Sequence, residues 1–75
     1  MLNLYKRIKE LRIALKINQT QMAKLLGMSQ TGYSKYETGE NDVPTEILIK
    51  LSDIHNVSVD YILELTNLED KYPKF

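Results

Sequence analysis

The sequence has no cysteine and no tryptophan, a single histidine, and only two prolines and three glycines in 75 residues. Without thiols, neither disulfides nor thiolate metal sites can hold so small a chain together. His55 alone cannot build a metal site, so no cofactor or metal is expected. The scarcity of glycine and proline argues against a turn-rich β fold and for helices. No hydrophobic run exceeds three residues, as in Ile47-Leu48-Ile49, far short of the roughly 20 that a membrane-spanning helix needs. The first residues, MLNLYKRIKELR, carry charges where a signal peptide needs its apolar stretch. No membrane partner and a cytoplasmic location are therefore expected. What is present is globular composition, 43% hydrophobic and 27% charged, in a chain with room for one small domain.

Net charge is zero, but its distribution is lopsided. Residues 1–36 hold seven basic groups and one acidic group, whereas residues 37–75 hold three basic and nine acidic groups. Such a split suggests one side that faces a polyanion. The competing explanation is that solvated helix faces merely differ in sign.

Helical periodicity and capping chemistry divide the chain into five short helices. Asn3 is a candidate N-cap for the first, and Leu4, Ile8, Leu11 and Leu15 recur along one face of a 3.6-residue period. Lys6, Arg7, Lys9 and Lys16 occupy its wet faces. Asn18 followed by Gln21 has the spacing of a capping box, Met22, Ala23, Leu25 and Leu26 supply an apolar face, and Gly27 ends the second helix. Ser29 caps a third helix of about 30–37, which Gly39 stops. Pro44 suits the first position of a fourth helix with Ile47, Leu48, Leu51 and Ile54 inward, closed by Asn56. Ser58 caps a fifth, with Val59, Ile62 and Leu63 inward. Pro73 biases Tyr72 away from helix, so a tail of 67–75 is expected to fray or to join a dimer.

The third helix has two unlike faces. Tyr33, Tyr36 and Glu37 share one. Gln30, Thr31, Ser34, Lys35 and Thr38 share the other, which has no apolar residue. Ordinary solvent faces favour Glu and Lys, the better helix formers, and Gly32 inside a helix costs about 1 kcal/mol against Ala. Something other than helix propensity selects these residues. Two short helices joined by a glycine-containing turn form a helix-turn-helix plan, here about residues 19–38, QTQMAKLLGMSQTGYSKYET.

The stretch from about Arg7 to Leu63 resembles the phage-repressor helix-turn-helix family (Cro/CI-type, also called XRE-type). The matching signals are RIKELR, NQTQMAKLLGMS, SKYETGE and VPTEILIKLSDIHNVSVDYIL, with Ala23, Gly27, Ser29, Glu37, Gly39 and Pro44 at their spacings. The resemblance implies an all-α, compact five-helix bundle of the lambda-repressor-like type over residues 1–66. It implies a sequence-specific double-stranded DNA-binding transcriptional regulator, a repressor, that inserts helix 3 into the major groove. By the same resemblance Gln30, Thr31, Ser34 and Lys35 face bases, Gln19 binds a phosphate, and Thr38 and Asn41 add backbone contacts. The chemistry suits those roles, since Gln pairs bidentately with adenine and Lys donates to guanine. Arg12 and Glu37 match a structural ion pair between helix 1 and helix 3.

Three departures stand out. Tyr33 and Tyr36 replace the usual aliphatic residues and are expected in the core, each with a hydroxyl to place. Gly32 is expected to let the backbone approach a phosphate. Glu40 and Asp42 stand where many relatives carry basic residues, which implies modest, salt-dependent non-specific affinity.

A homodimer is expected, with Tyr61, Leu65, Leu68, Tyr72 and Phe75 spaced like a helical seam. The alternative for Tyr61 and Leu65 is cover for the domain's own core. The alternative function is a protein-interaction module, such as an antitoxin or anti-regulator, offering its acidic C-terminal half to a basic partner. An enzyme is not expected. His55 and Asp53 lie two residues apart on different faces, and no phosphate-cradling glycine loop is present.

Overall fold

The computed structural model describes residues 5–67. Over them the chain forms five helices: α1 (Lys6–Ala14), α2 (Gln19–Leu26), α3 (Gln30–Thr38), α4 (Thr45–His55) and α5 (Val59–Ile62). The fold is the expected all-α five-helix bundle, with no strand among the described residues. Helices this short are unstable alone and depend on packing. Here α2 and α3 pack on each other, α1 lies against α3 and α5, and α4 contacts α2 and α5. The centre of the bundle is filled by Ile8, Met22, Tyr33, Leu51 and Ile62, all essentially without solvent contact.

Helix boundaries follow local chemistry. Asn18 and Gln21 form a reciprocal capping box: the Gln21 N–H donates to Asn18 Oδ1 at 2.8 Å, and the Asn18 N–H donates to Gln21 Oε1 at 2.9 Å. Ser29 and Ser58 accept from the backbone N–H groups of Gly32 and Tyr61. Gly27 (φ 71°), Gly39 (φ 83°) and Asn56 (φ 55°) end α2, α3 and α4 in the left-handed region, where glycine and asparagine fit most readily.

Several sequence expectations change. Asn3 and Leu4 lie outside the described residues, and α1 starts at Lys6 behind Tyr5, whose side chain makes no capping bond. Leu15 lies past the end of α1 and is 45% exposed, so it does not continue the apolar stripe. The stripe ends at Leu11 because Lys16 turns the chain at φ 60°. Leu25 is 59% exposed; it follows Lys24 onto the outer side of α2, while Met22, Ala23 and Leu26 face in. Pro44 takes the extended cap position, one residue before α4 begins. Helix α5 ends at Ile62 and Glu64 adopts φ 61°. Tyr61 and Leu65 therefore do not share one helix, and a continuous helical seam is broken at its first step. Leu68, Tyr72 and Phe75 lie outside the described residues. No helix among the described residues is long and apolar enough to cross a membrane.

Candidate functional site

The two-faced character of α3 is realised in space. Tyr33, Tyr36 and Glu37 are buried against the bundle, and Tyr33 and Tyr36 meet edge to face with ring centroids 6.4 Å apart. Gln30, Thr31, Lys35 and Thr38 are exposed, and Ser34 is half-buried on the border of the same face. The four residues expected to read bases thus share the outward side of a helix whose back is fixed by aromatic rings.

A hydrogen-bonded chain through three helices anchors this face. Arg12 of α1 grips Glu37 of α3 bidentately, Nε to Oε2 at 2.6 Å and Nη2 to Oε1 at 3.1 Å. Its third donor, Nη1, reaches the Ile17 carbonyl at 2.9 Å and so closes the α1–α2 connection. A planar guanidinium supplies this fork where a lysine could not. Glu37 is only 5% exposed, so the expected structural pair is a buried one. Burial would raise its pKa, but hydrogen bonds from Arg12 and from the Gln19 amide, with the Tyr33 hydroxyl close by, hold it below the usual carboxylate range. Glu37 in turn raises the Arg12 pKa further. The Tyr33 hydroxyl is buried beside the carboxylate without hydrogen-bond alignment to it. Burial first, and the adjacent Glu37 carboxylate second, push that hydroxyl well above the usual tyrosine range.

Gln19, at the first position of α2, carries the chain onward to the exposed face. Its Nε2 donates to Glu37 Oε1 at 3.1 Å, and its Oε1 accepts from Gln30 Nε2 at 2.6 Å. The family resemblance assigns Gln19 to a phosphate and says nothing of this link. The capping box fixed where α2 starts, yet nothing in residue type says that two glutamines eleven positions apart meet across the turn. The consequence is positional: Gln30 keeps its Oε1 free of these contacts while its amide nitrogen is steadied from behind.

The tail of α3 is tied locally. Thr38 Oγ1 lies 3.2 Å from the Lys35 carbonyl and 3.3 Å from Glu40 Oε1, and the Asn41 N–H reaches the Lys35 carbonyl at 3.2 Å. Thr38 and Asn41 are both exposed beside this turn. Gly32 lies on the border of this face. A Cβ there would come within 3.1 Å of both Met28 Cε and the Ser29 Oγ that caps α3. A larger residue there would press on the side chains at the helix start, and on the Ser29 cap among them.

One further cluster was not foreseen. Arg7 of α1 donates from Nη1 to the carbonyls of Tyr61 (2.8 Å) and Thr66 (2.7 Å), and from Nη2 to Asn67 Oδ1 (3.0 Å). Its guanidinium lies over the Tyr61 ring, 4.1 Å from the centroid, with Glu64 at 3.8 Å. Tyr61 is thereby held at the domain's own surface, and the segment after α5 is pinned to α1.

The helix-turn-helix family matches residues 8–62, which contain all five helices except the start of α1. The chain is 38% identical over 68 residues to the HTH-type transcriptional regulator YobD of Bacillus subtilis, covering 91% of this chain and 59% of that protein. It is 39% identical over 62 residues to the HTH-type transcriptional regulator ImmR of B. subtilis, covering 83% and 49%. It is 41% identical over 54 residues to the cryptic phage CTXphi transcriptional repressor RstR of Vibrio cholerae, covering 72% and 48%. The chain thus spans about half to three fifths of the length of these relatives.

Proposed function

We propose that this chain, which belongs to the phage-repressor-type helix-turn-helix family, binds double-stranded DNA sequence-specifically and acts as a transcriptional regulator, in the sense of repression. The observation that carries this reading is the outward face of α3, apolar-free and backed by a buried anchor. In the major groove, the N-terminal residues of such a helix meet base edges. Gln30, the first residue of α3, offers an amide for bidentate pairing with adenine. Lys35 donates to guanine O6 or N7, and the Thr31 methyl meets a thymine methyl, with Ser34 beside them. The Gln19–Glu37–Arg12 chain pre-orients Gln30, which lowers the entropy lost when its amide is fixed on a base.

Gln19, Thr38 and Asn41 are assigned to phosphates. Gln19 retains donor capacity at the positive end of α2, which favours an anion. Thr38 and Asn41 flank the far end of α3. The family reading and the repressor name of the RstR relative support the regulatory role. Pairing of two copies on two-fold-related half-sites, about 34 Å apart, would place two such helices in successive major grooves. Leu65, 72% exposed just past α5, is the residue we assign to that contact. Analytical ultracentrifugation over a concentration series tests it: a monomer throughout removes the pairing. A cytoplasmic location and the absence of catalysis belong to the same reading.

The test of the function is selection from randomised duplex DNA. The wild-type chain enriches a defined motif. Recovery of unbiased sequence removes the reading.

A further inference from the structure

Two carboxylates follow α3 two residues apart, and the structure sends them in different directions. Asp42 Oδ1 faces the hydroxyl of Tyr5, the residue just before α1, at 3.4 Å. Glu40 instead lies back against the tail of α3. Its Oε1 is 3.3 Å from Thr38 Oγ1, and its own N–H points to the same oxygen at 3.4 Å. Stability does not account for a carboxylate there. The carboxy end of a helix is its negative pole, so an anion is disfavoured. The ion pairs among the described residues join Arg7 to Glu64 and Arg12 to Glu37, and neither involves Glu40. Thr38, which carries Glu40, continues the outward face of Thr31, Ser34 and Lys35.

We propose that Glu40 is a specificity-determining residue that acts by repulsion: held at the end of the reading face, it penalises phosphates that approach in the wrong register. This rests on the DNA-reading role of α3. Binding to unrelated duplex draws nearly all its affinity from phosphate neutralisation. A duplex that satisfies Gln30 and Lys35 is held in one register, with the tail of α3 at a fixed distance from the backbone. A duplex that satisfies neither slides, and it presents phosphates to Glu40 in many registers. The charge therefore subtracts more from non-specific than from specific binding. Discrimination against the wrong partner is one of the two ways to raise specificity, and Asp42, facing α1, takes no part.

The experiment measures affinity for the duplex that the wild type selects and for a scrambled duplex of equal length, at low and moderate salt. The proteins are wild type, Glu40→Gln, Asp42→Asn and Gln30→Ala. Glu40→Gln is expected to tighten scrambled binding by about three- to tenfold at low salt, with a smaller gain on the selected site and convergence at higher salt. Asp42→Asn is expected to change either affinity by less than about twofold. Three results overturn the proposal: unchanged scrambled affinity in Glu40→Gln, equal gains on both duplexes, or weaker binding to the selected site with lost preference at one base pair. The last would make Glu40 a reader of a base edge, such as the cytosine amino group. The reading role of α3 fails separately: the wild type then binds both duplexes alike and Gln30→Ala changes neither, and the proposal falls with it.

Discussion

Helix α1 carries two arginines five residues apart that do unlike things. Arg12 is half-buried and spends two donors on one buried carboxylate of α3 and a third on the carbonyl of Ile17. Arg7 is set about as deeply, but its carboxylate neighbour Glu64 is exposed where Glu37 is buried. It serves two backbone carbonyls, one side-chain amide and one aromatic ring of α5 and the segment that follows it. One arginine answers a charge; the other answers a chain path. Loss of Arg12 strands an anion in a dry place, whereas loss of Arg7 releases carbonyls that water can reach.

That difference sets the order of expected effects. Arg12→Ala should cost about 3–5 kcal/mol of folding stability, because Glu37 is left as an uncompensated buried charge. Urea titration measures it, and a loss under about 0.5 kcal/mol would place the pair among exposed, minor ones. Arg7→Ala should cost less, about 1–3 kcal/mol for charge-assisted hydrogen bonds and a stacked ring. Its signature is regional: amide exchange should speed up at Leu65, whose N–H is bonded to the Asp60 carbonyl, while α2 and α3 keep their protection. Equal acceleration everywhere would mean that Arg7 holds the whole bundle and not its exit.

Acid should sharpen the comparison. The folded-state pKa of Glu37 is depressed, so its contribution is present above the unfolded value near 4.5 and is lost as pH falls through the lower folded value. His55 adds an earlier limb. Burial lowers its folded pKa below the ordinary 6.5, so stability declines as pH drops from 6.5 toward that lower value. Denaturation midpoints from pH 7 to 3 should show both limbs, and Arg12→Ala should remove the depression behind the lower one. An acid limb unchanged in Arg12→Ala would assign it to other carboxylates. The smallest effect is expected at Tyr33→Phe. The hydroxyl lacks an aligned partner, so its removal should change stability by less than about 1 kcal/mol. A loss of several kcal/mol would show that the hydroxyl holds Glu37 in place.

The helix-turn-helix segment was legible because its boundaries are written in residues with positional chemistry. Asn18, Gln21, Gly27, Ser29, Gly39 and Asn56 each satisfy a helix end as their side chains, or lack of one, dictate. Lys16 and Glu64 do the same turning work at positive φ, but nothing in a lysine or a glutamate announces a left-handed backbone. The end of α1 and the break after α5 were therefore invisible. Arg7 was read as one more wet-side cation because its carbonyl partners, 54 and 59 positions away, have no side-chain identity to betray them. Arg12–Glu37 was found through the family pattern. The step from Glu37 through Gln19 to Gln30 needed coordinates, since it depends on how α2 and α3 dock.

The claim on which the rest depends is that Gln30, steadied by Gln19, touches a base. Affinities of the wild type and Gln30→Ala for the selected duplex and its single-base-pair substitutions test it most directly. The account predicts that Gln30→Ala loses about 1–3 kcal/mol on the selected duplex and becomes indifferent to one base pair while keeping its other preferences. If the variant ranks every substituted duplex as the wild type does, Gln30 reads nothing and the account is contradicted.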